Sequence, residues 1–91
     1  MADMNPAEAR RFADELEYRA QDLRQVNAAV ARQVLELGLA GWQDRRYQEF
    51  AQRYDEAAVL VQRFAERAEV YADYLRRKAA PLERYLGRSI P

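Results

Sequence analysis

Residues 47–75, YQEFAQRYDEAAVLVQRFAERAEVYADYL, decide the fold of this chain because apolar side chains recur in them at a fixed spacing. One row has a member every seven residues: Tyr47, Tyr54, Val61, Ala68, Leu75 and Leu82. A second row with that spacing contains only alanines: Ala51, Ala58, Ala65, Ala72 and Ala79. A third row follows the first by three residues: Phe50, Ala57, Phe64 and Tyr71. The pattern predicts one helix from about residue 43 to 80, in which alanines allow close helix packing and the aromatic row supplies buried area.

A second amphipathic stretch comes earlier in the chain. Apolar residues again recur every seven positions: Ala9, Leu16, Leu23, Val30 and Leu37. A companion row lies four residues further on: Ala13, Ala20, Asn27 and Val34. We expect a helix from about residue 6 to 37. Its start is marked by Asn5, whose side chain can cap free amides, and by Pro6, which fits the first helical position.

The connection between the two stretches is short and rich in glycine. Residues 38–41 read Gly-Leu-Ala-Gly, which favours a tight turn after the first helix. We therefore predict an all-α, antiparallel two-helix hairpin that forms a single domain over residues 1–91. Pro81 lacks the amide that would continue the helix, so the second helix is expected to end or kink near residues 78–80. A short C-terminal turn would then cover Leu82 to Leu86.

The composition argues against an enzyme and against several classes of partner. The chain has no cysteine, histidine or threonine, and its single serine is Ser89. No thiol, imidazole or positioned hydroxyl is therefore available for nucleophilic or acid–base catalysis, and no cofactor or metal is expected. Fifteen basic and fifteen acidic residues balance, so we expect no nucleic-acid partner.

The N-terminal residues carry neither a basic start nor an apolar run, and no stretch is long enough to span a bilayer. We expect no membrane partner. The predicted location is the cytoplasm, or outside the cell by a route without a cleavable signal peptide. We also expect no small-molecule substrate. The cations near the C-terminal end are expected to face the acidic start of the first helix.

The apolar surface exceeds what one hairpin can bury. Two helices hide only the strip between them, and a chain this short is marginal for hiding a core. Six residues off the main rows widen the apolar stripes and are the predicted interaction surface: Tyr18, Leu35, Val59, Leu60, Val70 and Tyr74. We expect a second hairpin, a copy of this chain or a relative, to complete a four-helix bundle. Asn27 falls in the apolar row, where a buried amide would set the register and an edge position would leave it hydrated.

Trp42 is the only tryptophan, and it stands at the predicted turn. There it could cover the end of the bundle, in which case Trp42→Ala would cost about 3 kcal/mol; an exposed ring would instead favour partner binding. The chain resembles the WXG family of small helical hairpins associated with type VII (ESX-like) secretion. Members have a similar length, carry Trp-x-Gly in the central turn and place an aromatic residue eight positions after the tryptophan, as Phe50 stands here.

The resemblance implies a homodimer or heterodimer that forms a four-helix bundle, either exported folded or acting as the helical targeting partner of a larger effector. Two features depart from the family. Asp44 occupies the position of the family glycine, where it could accept hydrogen bonds from the first amides of the second helix. The C-terminal Tyr-x-x-x-Asp/Glu signal found in many exported pairs is missing.

Two alternatives come from other classes of protein. One is a helical adaptor or assembly subunit of a scaffold unrelated to secretion, which the sequence barely separates from the first interpretation. The other is a carboxylate-only metal enzyme, which the apolar rows oppose because they contain no acidic residue.

Overall fold

A computed structural model describes the backbone of residues 5–89 and the side chains of residues 5–86. Helix α1 spans Pro6–Leu39 and helix α2 spans Arg45–Ser89, and no strand occurs within the described residues. The two helices pack against each other along α1, which confirms the predicted all-α helical hairpin. The hairpin is a thin rod of 70 × 22 × 14 Å, because each helix has a single neighbour.

The helix starts are capped as the sequence predicts. The Oδ1 atom of Asn5 accepts hydrogen bonds from the backbone amides of Ala7 at 2.9 Å and Glu8 at 3.4 Å. At the start of α2, Oδ1 of Asp44 accepts from the amide of Tyr47 at 2.8 Å. Both side chains satisfy amides that have no partner inside their own helix.

The turn between the helices depends on two glycines in different ways. Gly41 has a φ of +105°, a left-handed conformation that other residues rarely adopt. Gly38 is still helical and is buried. A Cβ atom at Gly38 would lie 2.4 Å from the Tyr47 hydroxyl oxygen, so this glycine allows the ring of Tyr47 to pack against α1. Helix α1 ends at Leu39, two residues later than predicted.

The second helix does not end before Pro81: of the two expectations for residues 78–80, an end or a kink, the end is wrong, and so is the separate C-terminal turn. Proline removes one backbone hydrogen bond, and residues on both sides of Pro81 lie against α1. Ala79, just before it, is fully buried in the hairpin. Just after it, the Glu83 carboxylate accepts a hydrogen bond from Nε of Arg10 at 2.7 Å.

The seam between the helices consists mainly of alanines. Besides Pro6 and Gly38 at the two ends of α1, the buried residues are Ala9, Ala13 and Ala20 on α1 and Ala65, Ala68, Ala72, Leu75 and Ala79 on α2. Leu16 is half-buried and packs against both clusters of buried residues. Small side chains let the helix axes approach closely, as predicted for the alanine row. The consequence is a core that hides few large apolar groups.

Candidate interaction surface

One side of the hairpin, the charged face, carries a ladder of ion pairs between the helices. Its members are Arg10, Glu17 and Arg24 on α1 and Glu83, Arg76 and Glu69 on α2. The guanidinium of Arg24 binds both carboxylate oxygens of Glu69, and Nη2 of Arg76 lies 2.6 Å from Glu17. On each helix the members are seven residues apart, so the ladder repeats with the seam.

The alternating sign of these charges opposes a shift of one helix by seven residues, the spacing of the seam. Sliding one helix along the other by seven residues would place Arg10 opposite Arg76 and Glu17 opposite Glu69. Like charges in those positions repel, whereas the observed register pairs every member with an opposite charge. The ladder therefore selects one alignment of two helices whose alanine seam is nearly uniform.

The ion pairs shift the pKa values of their members. Hydrogen bonding from Arg24 lowers the pKa of the Glu69 carboxyl, and hydrogen bonding from Arg10 lowers that of Glu83. Hydrogen bonds to Asp14 and then Glu17 raise the pKa of the Arg76 guanidinium. These side chains keep contact with water, so their main effect is on helix alignment.

Near the turn, polar side chains bridge the helices. The hydroxyl of Tyr47 donates to the carbonyl of Val34 at 2.8 Å. The hydroxyl of Tyr54 donates to the carbonyl of Asn27 and, at 2.9 Å, to its Oδ1 atom. Nδ2 of Asn27 donates to the carbonyl of Ala58 at 3.2 Å. Asn27 is thus half-buried and hydrogen-bonded across the seam, in agreement with the register-setting alternative.

The opposite side of the hairpin, the aromatic face, is exposed and mainly apolar, with the cations Arg19 and Lys78 at two of its positions. It is formed by Phe12 and Val26 on α1 and by Phe50, Phe64 and Tyr71 on α2. These residues precede seam positions by one residue, whereas the charged row follows seam positions by one residue. An α-helix rotates by about 100° per residue, so residues just before and just after seam positions point to opposite sides of the seam. Phe12 is 58% exposed and Phe64 is 60% exposed.

The aromatic face corrects the sequence prediction for the third row of α2. We expected Phe50, Phe64 and Tyr71 to supply buried area within the hairpin, but all three are exposed. The alanine row occupies the seam instead, because it permits the shorter distance between the helices. The signal for this was present in the sequence: the aromatics stand one residue before the alanines and cannot share their direction.

A shallow groove lies on the aromatic face near the start of α1. Phe12 and Ala9 line it from α1, and Tyr71 and Leu75 line it from α2. Tyr71 also stacks on Tyr74 with ring centroids 5.8 Å apart, which extends the apolar surface towards the edge. The groove is open, and charged side chains, Glu8, Arg11 and Glu15, line it together with these apolar ones.

The six predicted surface residues are all exposed, but they do not form one patch. Tyr74 belongs beside the aromatic face through its stack on Tyr71, and Val70 lines a hollow together with Tyr71. Val59 instead lines a hollow with Asn27 and Gln62 on the side of the charged face. The others are Tyr18, Leu35 and Leu60, each more than half exposed.

The turn residues have separate roles. Trp42 is 61% exposed, so it does not cover the end of the hairpin as one interpretation predicted. Its backbone amide donates to the carbonyl of Leu37 at 3.2 Å, and its ring is open to solvent. Asp44 caps α2, as anticipated for this departure from Trp-x-Gly. Phe50 lies six residues further on, in the aromatic face.

The part of the chain that the structure describes contains no group of three or more acidic side chains placed to hold a metal ion. Over the same residues, neither helix carries an apolar stretch sufficient to cross a bilayer. A scan against protein-family models and searches of curated proteins and of solved structures find no match to this chain.

Proposed function

We propose that this chain is a non-catalytic interaction module whose aromatic face is covered by a second helical hairpin, which completes a four-helix bundle. The observation that carries the proposal is the exposure of Phe12, Phe50, Phe64 and Tyr71 on one side of the rod. So many large apolar side chains exposed on one side are unusual on a protein that acts alone.

The accessible surface supports the same proposal. The chain exposes 7561 Å², whereas a compact monomer of this mass exposes about 5,500 Å². Losing half of that excess on each of two chains would bury about 2,000 Å² in total, which is at the upper end of the range for stable complexes of standard size.

The wider role that we propose is that of a small secretion-associated partner protein, as the resemblance to the WXG family implies. An exposed Trp42 at the turn supports this role, since an aromatic ring open to solvent can contact an export machine or an effector. The alternative is a helical adaptor or scaffold subunit, which Asp44 favours because it caps α2 in place of the family glycine. Both roles use the same aromatic face.

Light scattering on matched variants tests the aromatic face. We expect the wild-type chain at tens of micromolar to have twice the 10.7 kDa mass of one chain. Phe64→Glu places a charge on the aromatic face and should abolish pairing, whereas Tyr18→Glu, a control at a similarly exposed site outside it, should not.

Affinity capture from the host, with medium and lysate examined separately, tests the wider role. Recovery from the medium with an export component supports secretion, and recovery only from the lysate with structural proteins supports the scaffold. A fully helical monomer that also retains no helical partner would contradict the interaction module itself.

A further inference from the structure

The two edges of the aromatic face carry opposite charges. The edge on α1 holds Glu8, Glu15, Asp22 and Glu36, and one cation, Arg19, lies on the same side of α1, 3.8 Å from Glu15. The edge on α2 holds Arg53 and Arg67 at the equivalent positions, together with the apolar Leu60 and Tyr74. All of these residues are exposed, and they frame the aromatic face on both sides.

A second copy can cover this face in two symmetric arrangements, and the opposite charges of the two edges favour one of them. If the two-fold axis runs parallel to the rod, α1 of each copy lies over α2 of the other, and the acidic edge meets the basic edge. If the axis crosses the rod, α1 lies over α1 and the acidic edges face each other, which is repulsive.

Resting on the proposed function, we infer that the occupant of the aromatic face is a second copy of this chain, related by a two-fold axis parallel to the rod. Both turns, with their Trp42 residues, then lie at the same end of the bundle. Two identical chains can pair in this way because each chain carries both an acidic edge and a basic edge.

The heights of the charges along the rod agree with this arrangement. Ala20 packs with Ala65 and Ala68, so Asp22 and Arg67 lie at similar heights on opposite edges. A two-fold axis parallel to the rod preserves height and therefore brings Asp22 of one copy next to Arg67 of the other. Glu36 and Arg53 also lie at similar heights, since Glu36 is fourteen residues after Asp22 and Arg53 is fourteen residues before Arg67 on the antiparallel helix.

The groove on the aromatic face fits the same symmetry. It is lined by Phe12 and Tyr71, and the axis places the same two residues of the second copy at the same height. Each copy can therefore fill the groove of the other with its own aromatic side chains, which gives the self-complementary contact that a two-fold pair requires. An axis across the rod would instead bring the groove opposite the turn end.

A distance measurement between spin labels tests the orientation. The chain has no cysteine, so Ala40→Cys in the exposed turn gives one label per copy. Turns at the same end predict a separation within about 35 Å, since neighbouring helices lie about 10 Å apart. Turns at opposite ends predict a separation near the 70 Å length of the rod, and that result would overturn the inferred orientation.

Charge reversal on the edges provides a second, independent measurement. Asp22→Arg should weaken the pair about twofold to twentyfold in sedimentation equilibrium, because it sets two cations together at each of two equivalent contacts. Adding Arg67→Asp should restore the affinity. Asp55→Arg, an exposed control that follows a seam position on the side of the charged face, should leave it unchanged.

The outcomes separate this inference from the proposed function. Tighter pairing of Asp22→Arg would support the axis across the rod and overturn the inferred orientation, while leaving the interaction module intact. A wild-type monomer would overturn the second copy as occupant. The proposed function would still stand if the aromatic face of that monomer bound a different helical hairpin and Phe64→Glu abolished that binding.

Discussion

Leu75→Ala is the substitution that best tests how the hairpin is held together. Among the described side chains Leu75 is the large aliphatic residue buried in the seam, at 6% exposure, and it packs with Ala13 and Ala72. Truncating a buried leucine costs about 2–5 kcal/mol through lost burial and the cavity left behind. We expect about 2–3 kcal/mol here, because the open groove beside Leu75 lets neighbouring side chains and water relax into the space.

The matched control is Leu35→Ala, the same chemical change at a residue that is 61% exposed. It should alter the free energy of unfolding by less than about 0.5 kcal/mol. Urea denaturation followed by circular dichroism at 222 nm would measure both, and the midpoint for Leu75→Ala should fall by about 1–3 M. Two protein concentrations separate loss of packing from loss of pairing.

Equal midpoints for the two leucine variants would refute the assignment of Leu75 to the seam. If Leu75→Ala does not fold, Leu75→Met keeps the volume and should cost less than about 1.5 kcal/mol. A large loss for the methionine variant would mean that shape rather than burial controls this position.

Three further changes test the polar bridge, the ladder and the turn. Tyr54→Phe removes the hydroxyl that donates a hydrogen bond to Asn27, so the free energy of unfolding in urea should fall by about 1 kcal/mol. An unchanged midpoint would contradict this hydrogen bond between the helices. Arg24 lowers the folded-state pKa of Glu69, so the stabilisation is present above the ordinary value of 4.5 and is lost as pH falls through the lowered value. The Tm deficit of Glu69→Gln should therefore shrink below that pH, and a constant deficit would argue against the ion pair. Trp42→Ala should change stability by less than about 0.5 kcal/mol in thermal unfolding because the ring is exposed; a loss near 3 kcal/mol would mean that the ring is buried in solution.

The charged face and the aromatic face have different roles: the first aligns the two helices, and the second is available to a partner. Ion pairs along one side align α1 with α2, and alanines fill most of the seam between them, which permits a close approach of the helices. Large aromatic groups are thereby left on the other side, where they are available to a partner. A hairpin with leucines in the seam would hold itself together more strongly, but its helices would stand further apart.

Much of the architecture could be predicted from spacing alone. Rows every seven residues identify two helices, Asn5 and Asp44 cap them, and the glycines at 38 and 41 place the turn. These features are local: each depends on residues within a few positions of one another, so they can be inferred without knowing how the helices pack.

The tertiary structure alone decided which rows are buried and where α2 ends. Spacing groups residues on one side of a helix, but the rotation of that helix against its neighbour depends on contacts between residues far apart in the chain. The alanine row is buried in the seam, and Phe64 and Tyr71 are exposed on the aromatic face. In the same way Pro81 departs from a local rule: α2 continues through it, with Ala79 buried before it and Glu83 paired with Arg10 of α1 after it.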